Sequence, residues 1–157
     1  NVDVSTILNG YYSDASRMFK IGKCVRKSRT DRACNTGVCR AWPKGSKAMG
    51  AFGRYCIRDQ HACKENGYSV VEEIGGHGIG LEFHEEPFVS YVTPKGSEMV
   101  LVPGMMFTIE PMINEGAPEF YVDEDNGWTV YTDDDGLSAQ VEYMVLVKEK
   151  SVEVLTK

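Results

Sequence analysis

Asp3 and Asp14 lie on either side of Asn9-Gly10, the dipeptide that most strongly signals a two-residue hairpin turn. A loop of that length pairs Leu8 with Tyr11, so Asp3 falls opposite Ser16 and Ser5 opposite Asp14. Side chains alternate along a strand, which places Asp3, Ser5, Asp14 and Ser16 on one face. The two aspartates are then diagonal neighbours, with Cβ atoms about 7–8 Å apart. Carboxylates that close repel unless something positive lies between them, and a divalent cation is the simplest answer. The competing reading is a solvated face of an edge hairpin. Val2, Val4, Ile7 and Met18 weigh against it, because they predict that both faces are at least partly covered.

Three further residues could join such a site. His77 stands in Gly75-Gly76-His77-Gly78-Ile79-Gly80, which reads as a glycine loop. Glu110 interrupts the apolar pattern of Phe107–Met112, and Glu142 interrupts that of Ala139–Val147. An acid is rarely buried unless it is paired or bound to a metal. Taken singly, each is also compatible with an edge-strand acid facing water.

Other signals carry less. The glycine stretch lacks the Lys-Ser/Thr of a phosphate-binding loop, and glycine beside a histidine permits close backbone approach. Asp123 to Gly127 fails the calcium-loop pattern because its glycine comes one position early, so it reads as a hairpin turn. Cys34/Cys39 and Cys56/Cys63 do not have zinc-finger spacing. His84 does not begin an HExxH zinc motif, since Phe88 stands where the second histidine belongs.

The elements that must position these residues follow in order. A hairpin covers residues 2–19. Residues 20–64 are hard to read: Cys34 to Trp42 has no clean apolar stripe, although 47–66 could be a helix stopped by Asn66-Gly67. Short strands are predicted at Tyr68–Glu72, Phe88–Val92, Phe107–Met112, Thr129–Tyr131 and Ala139–Val147. Turns fall at Pro103-Gly104, Asn126-Gly127 and Asp135-Gly136. Hairpin, helix, then strands predicts one α+β domain over residues 1–157, an antiparallel sheet with helices on one face.

The net charge of −6 conceals an asymmetry. Residues 20–64 hold 12 of the 17 Lys/Arg, two of the 23 acids and all five cysteines. The odd cysteine count and the lack of a secretory signal predict reduced thiols and a cytoplasmic protein. No run approaches the roughly 18 apolar residues of a membrane span. The basic stretch has few aromatic residues, only Trp42, Phe52 and Tyr55, which argues against a nucleic-acid partner. The chain opens inside a predicted strand, so Asn1 reads as a cut end.

Five blocks together resemble the type I methionine aminopeptidases, in family order and at family-like spacing. They are Asn-Val-Asp-Val-Ser at 1–5, Asp-Ala-Ser-Arg-Met-Phe at 14–19, and Gly-His-Gly-Ile-Gly-Leu-Glu-Phe-His-Glu-Glu-Pro at 76–87. Pro-Gly-Met-Met-Phe-Thr-Ile-Glu-Pro-Met-Ile at 103–113 and Leu-Ser-Ala-Gln-Val-Glu-Tyr at 137–143 complete the set. The resemblance covers residues 1–22 and about 64–157, and leaves the cysteine-rich stretch 23–63 as a departure. That departure reads as local divergence or a compensated reading-frame error.

The resemblance implies the C-terminal part of a pita-bread fold, N-terminally truncated. It implies that Asp3, Asp14, His77, Glu110 and Glu142 hold two divalent ions, with Asp14 and Glu142 bridging them. Four carboxylates and one imidazole suit Mn, Fe, Co or Zn better than a thiolate-type metal. It further implies that His84 contacts the substrate amide, and that Phe83 and Trp128 line a pocket for the methionine side chain. A thioether against aromatic rings is a sound basis for that selectivity. The implied substrates are peptides with an N-terminal methionine, including nascent chains at the ribosome. Two alternatives stay open: a proline-specific peptidase of the aminopeptidase P or prolidase type, and a catalytically inactive peptide- or protein-binding module of the same fold.

Overall fold

The computed structural model describes residues 1–19, 21–22, 60–92 and 99–156. Strands β1 (Val2–Leu8) and β2 (Tyr11–Arg17) form the expected hairpin, with Leu8 paired to Tyr11, Ser5 to Asp14 and Asp3 to Ser16. Asn9 and Gly10 have φ of 53° and 85°, the two positive values that a type I′ turn requires. The expectation that both faces are covered does not hold. Val2, Val4 and Ile7 are each more than half exposed, and Met18 is 39% exposed. The reason is topological: among the described residues β1 pairs only with β2 and is an edge. β2 is the covered strand, with Asp14 and Ser16 buried.

The core is built on a five-stranded antiparallel sheet. Its order is β12 (Val152–Val154), β11 (Tyr143–Val147), β6 (Met106–Ile109), β4 (Gly76–Gly78), β5 (Glu85–Val89). The central strands β6 and β11 read as nearly continuous apolar runs because both of their faces are covered. Phe107, Ile109, Val145 and Val147 are at most 1% exposed. Burying one such side chain contributes about 1.5–3 kcal/mol. A second sheet has the order β10 (Ser138–Gln140), β7 (Met112–Asn114), β3 (Ser69–Val70). The ribbon β8 (Phe120–Val122) and β9 (Val130–Thr132) stands apart, its turn closed by the side chains of Asp123 and Asn126.

Two predicted strands are each broken in two. Phe107–Met112 divides into β6 and β7 at Glu110-Pro111, and Ala139–Val147 divides into β10 and β11 at Val141-Glu142. Since β6 pairs with β11 and β7 with β10, the chain passes between the two sheets at both acids. The residues expected to form a glycine loop include strand β4, inside the larger sheet. There a Cβ on Gly76 would fall on the Thr108 carbonyl oxygen and the Tyr91 hydroxyl, so only glycine lets β4 lie this close.

The helix expected over 47–66 is present from residue 60 to 65, and its end is fixed by the Gly67 and Tyr68 N–H groups, which donate to the carbonyls of Lys64 and Cys63. Its earlier part, and the basic stretch with four of the five cysteines, lie outside the described residues. Cys63 is buried and not in a disulfide.

Candidate metal centre

The five residues singled out in the sequence converge where β2, β4 and the two sheet crossings meet. One ligand atom each from Asp14, His77 and Glu142 lie within 4.8 Å of one another. His77 Nε2 is 3.6 Å from Glu110 Oε1 and 4.0 Å from Asp14 Oδ2. The Asp3 carboxyl lies beside those of Glu142 and Asp14.

Each ligand atom is aimed by a defined neighbour. A carbonyl can only accept, so the 2.9 Å contact between His77 Nδ1 and the Gly78 carbonyl places the ring proton on Nδ1. The Nε2 lone pair is thereby turned to the acids. The Thr108 hydroxyl accepts the His77 backbone N–H at 3.0 Å and donates to Glu110 Oε1 at 2.7 Å. Gln140 Nε2 donates to the other Glu110 oxygen at 2.9 Å, and Ser5 Oγ donates to Asp14 Oδ1 at 3.0 Å. At the crossings the strand ladder gives way to other partners. The Glu110 N–H donates to the Tyr91 hydroxyl at 2.7 Å, and the Glu142 N–H to the Ser16 carbonyl at 3.2 Å.

The electrostatics of this cluster follow from its crowded carboxyl groups. Burial, followed by repulsion from Glu110, Asp14 and Asp3, pushes the Glu142 carboxyl up to about 9. Burial also raises Glu110, to about 7, although its hydrogen bond from Thr108 pulls the other way. Asp3 is raised as well, by burial and then by Asp14. Carboxyl groups forced together and out of water call for a nearby cation. The Ser16 hydroxyl, on the same face and fully buried, has no hydrogen-bond partner among the described residues. Oxygen donors with one imidazole nitrogen and an unbalanced negative charge fit a divalent metal ion.

His84 packs its ring edge-on to His77, with centroids 4.3 Å apart. Burial and the neighbouring His77 hold its pKa below the usual value. Phe83 lies beside both histidines and Tyr12. Trp128 is set differently, 86% exposed at the tip of the β8–β9 ribbon. A cavity of about 430 Å³ opens beside Gln140, Met112 and Leu137, and neither Phe83 nor Trp128 lines it. The sequence reading missed Thr108, Gln140, Tyr91 and Arg17. Thr108 was within reach, since two residues before Glu110 is the same face of a strand.

Comparison with known proteins agrees with this picture. Residues 1–149 match metallopeptidase family M24. A methionine aminopeptidase of Buchnera aphidicola is 42% identical over 158 residues, which is 99% of this chain and 59% of that protein. The crystal structure of methionine aminopeptidase from Rickettsia prowazekii superimposes with a TM-score of 0.91 at 34% identity, over 99% of this chain and 62% of that one. A prolidase from Pyrococcus furiosus gives 0.73 at 27% identity, over 99% and 40%. The chain thus spans about three-fifths of the length of the curated relatives it matches. The fold is the pita-bread α+β fold. By the family match, which covers nearly its whole length, the chain belongs to metallopeptidase family M24.

Proposed function

We propose that this chain is the catalytic portion of a metallo-aminopeptidase that removes N-terminal methionine from peptides and nascent chains. The observation that carries the reading is the convergence of Asp3, Asp14, His77, Glu110 and Glu142 on one point from three separate parts of the fold. They would hold two divalent ions of the Mn, Fe, Co or Zn type, with Asp14 and Glu142 shared between them. Two ions bound there supply Lewis-acid activation of water and of the scissile carbonyl.

The chain's own residues do the rest. His77 offers Nε2 because its Nδ1 proton is committed to Gly78. Thr108 and Gln140 fix both oxygens of Glu110, so that carboxylate cannot rotate away. His84, held toward its neutral form, would hydrogen-bond the substrate amide, and Phe83 beside it would supply an apolar wall for a thioether. The higher identity to methionine aminopeptidases than to the prolidase favours methionine over proline specificity. The cysteine usage suits the cytoplasm, where nascent chains at the ribosome are the natural substrates.

The test is metal analysis of the purified chain, then hydrolysis of Met-Ala-Ser against an X-Pro peptide with the N-terminal half of a relative supplied. Bound metal with release of free methionine is the expected result. Cleavage confined to the X-Pro peptide, or a chain that takes up no metal, would overturn it.

A further inference from the structure

Glu142 is 1% exposed and lies in the gap between β10 and β11, outside the ladder of either strand. A buried peptide group must still find partners. Both partners come from consecutive residues of β2. The Glu142 N–H donates to the Ser16 carbonyl, and the Glu142 carbonyl accepts Arg17 Nη1 at 2.6 Å. The same Nη1 also donates to the Ser16 carbonyl at 2.7 Å, and Nη2 reaches the Thr156 carbonyl at 3.2 Å. The guanidinium lies over the Tyr143 ring, 4.2 Å from its centroid. One planar fork therefore joins β2, the β10–β11 gap and the chain after β12.

Asp14 is two residues before Ser16 on the same face of β2. The distance between the Asp14 and Glu142 carboxylates is thus set through Ser16 and Arg17. We propose that Arg17 is a positioning residue of the metal centre: by clamping the Glu142 carbonyl to β2, it sets the spacing of the Asp14 and Glu142 carboxylates, which would be shared between the ions. This rests on the reading of the cluster as a metal centre. Lysine keeps the charge but not the rigid fork that serves three carbonyls at once, nor the flat stacking on Tyr143.

The experiment is calorimetric titration of Mn²⁺ into the full chain and into Arg17→Met, Arg17→Lys and Val152→Ala. Val152 is buried in β12 and serves as a control for lost stability alone. Urea unfolding of each metal-free variant ranks the stability losses. Arg17→Met should bind Mn²⁺ about 10–100-fold more weakly, as is typical when a partner of a metal ligand is removed. Arg17→Lys should be intermediate, and Val152→Ala should keep the parental affinity. If Arg17→Met does not fold, a several-fold loss in Arg17→Lys carries the proposal. Parental affinity in Arg17→Lys and in any folded Arg17→Met overturns it, as does an equal loss in Val152→Ala. No binding by the parent chain would instead overturn the metal-centre reading itself, and the proposal with it.

Discussion

The Thr108 hydroxyl, inside β6, donates to Glu110 Oε1 at 2.7 Å, two residues on and just past the end of that strand. That hydrogen bond favours the ionised carboxylate, opposing the burial that drives Glu110 to about 7. Thr108→Val keeps the shape but removes the donor. The Glu110 pKa should rise further, and divalent-metal affinity should fall by about 10–100-fold. Titration calorimetry near neutral pH checks the affinity, and infrared detection of the protonated carboxyl checks the pKa.

The metal-free chain should lose stability as pH rises. Glu110 and Glu142 keep their protons in the folded state up to about 7 and about 9, against an ordinary glutamate value of 4.5. Between those limits the folded form binds more protons than the unfolded one, so stability is fullest below the ordinary value and falls toward the alkaline end. Glu142→Gln should flatten that slope and stabilise the metal-free protein while weakening metal binding. Urea unfolding at three pH values across that window measures both effects. A slope unchanged in the variant would mean that Glu142 does not carry the linkage.

Metal should reverse the penalty. A ligand at 100 times its dissociation constant stabilises by about 2.7 kcal/mol, so saturating Mn²⁺, Co²⁺ or Zn²⁺ should raise the melting temperature. Asp14→Ala and Glu142→Ala, which remove the ligands proposed to be shared, should lose both ions. His77→Ala should retain more of the second site. Scanning calorimetry with and without metal, and stoichiometry by atomic emission, separate these cases.

Gly76 tolerates no side chain. A Cβ there would collide with the Thr108 carbonyl and the Tyr91 hydroxyl, one residue from His77. Gly76→Ala should cost about 1–3 kcal/mol of stability through overpacking and should displace His77. Chemical denaturation gives the first number, and the loss of one metal equivalent reports the second.

The isolated chain should bind metal yet turn over Met-Ala-Ser poorly. It spans about three-fifths of its relatives' length, and Trp128 is 86% exposed. Losing one positioned donor costs about 10²–10³ in rate, and a half-built pocket should cost more. Peptide turnover with and without an N-terminal half from a relative measures the deficit; full activity from the chain alone would refute it.

The hairpin was readable because its evidence is local. Asn9-Gly10 specifies the turn, the turn specifies the register, and the register places Asp3 and Asp14 together. Glu110 and Glu142 stood out because each interrupts an apolar run, and both prove to lie at breaks between strands. What the sequence did not reveal depends on long-range pairing. Nothing local shows that β1 is an exposed edge, or that His77 lies in a sheet instead of a loop. Tyr91 and Arg17 act through contacts with residues 19 and 125 positions away. No periodicity encodes such partners.

Because both sheet crossings carry an acid, the cluster cannot be complete before those crossings form. Only Asp3 and Asp14 are near each other in sequence; Glu110 and Glu142 reach them after β6 has found β11 and β7 has found β10. Such distant pairings form slowly, since loop closure must precede any gain from contact. An unfolded or half-folded chain therefore offers an ion no more than the paired aspartates of one hairpin. Tight metal capture then follows those pairings, and the time course of ion uptake during refolding becomes a clock for the joining of β6 to β11 and of β7 to β10.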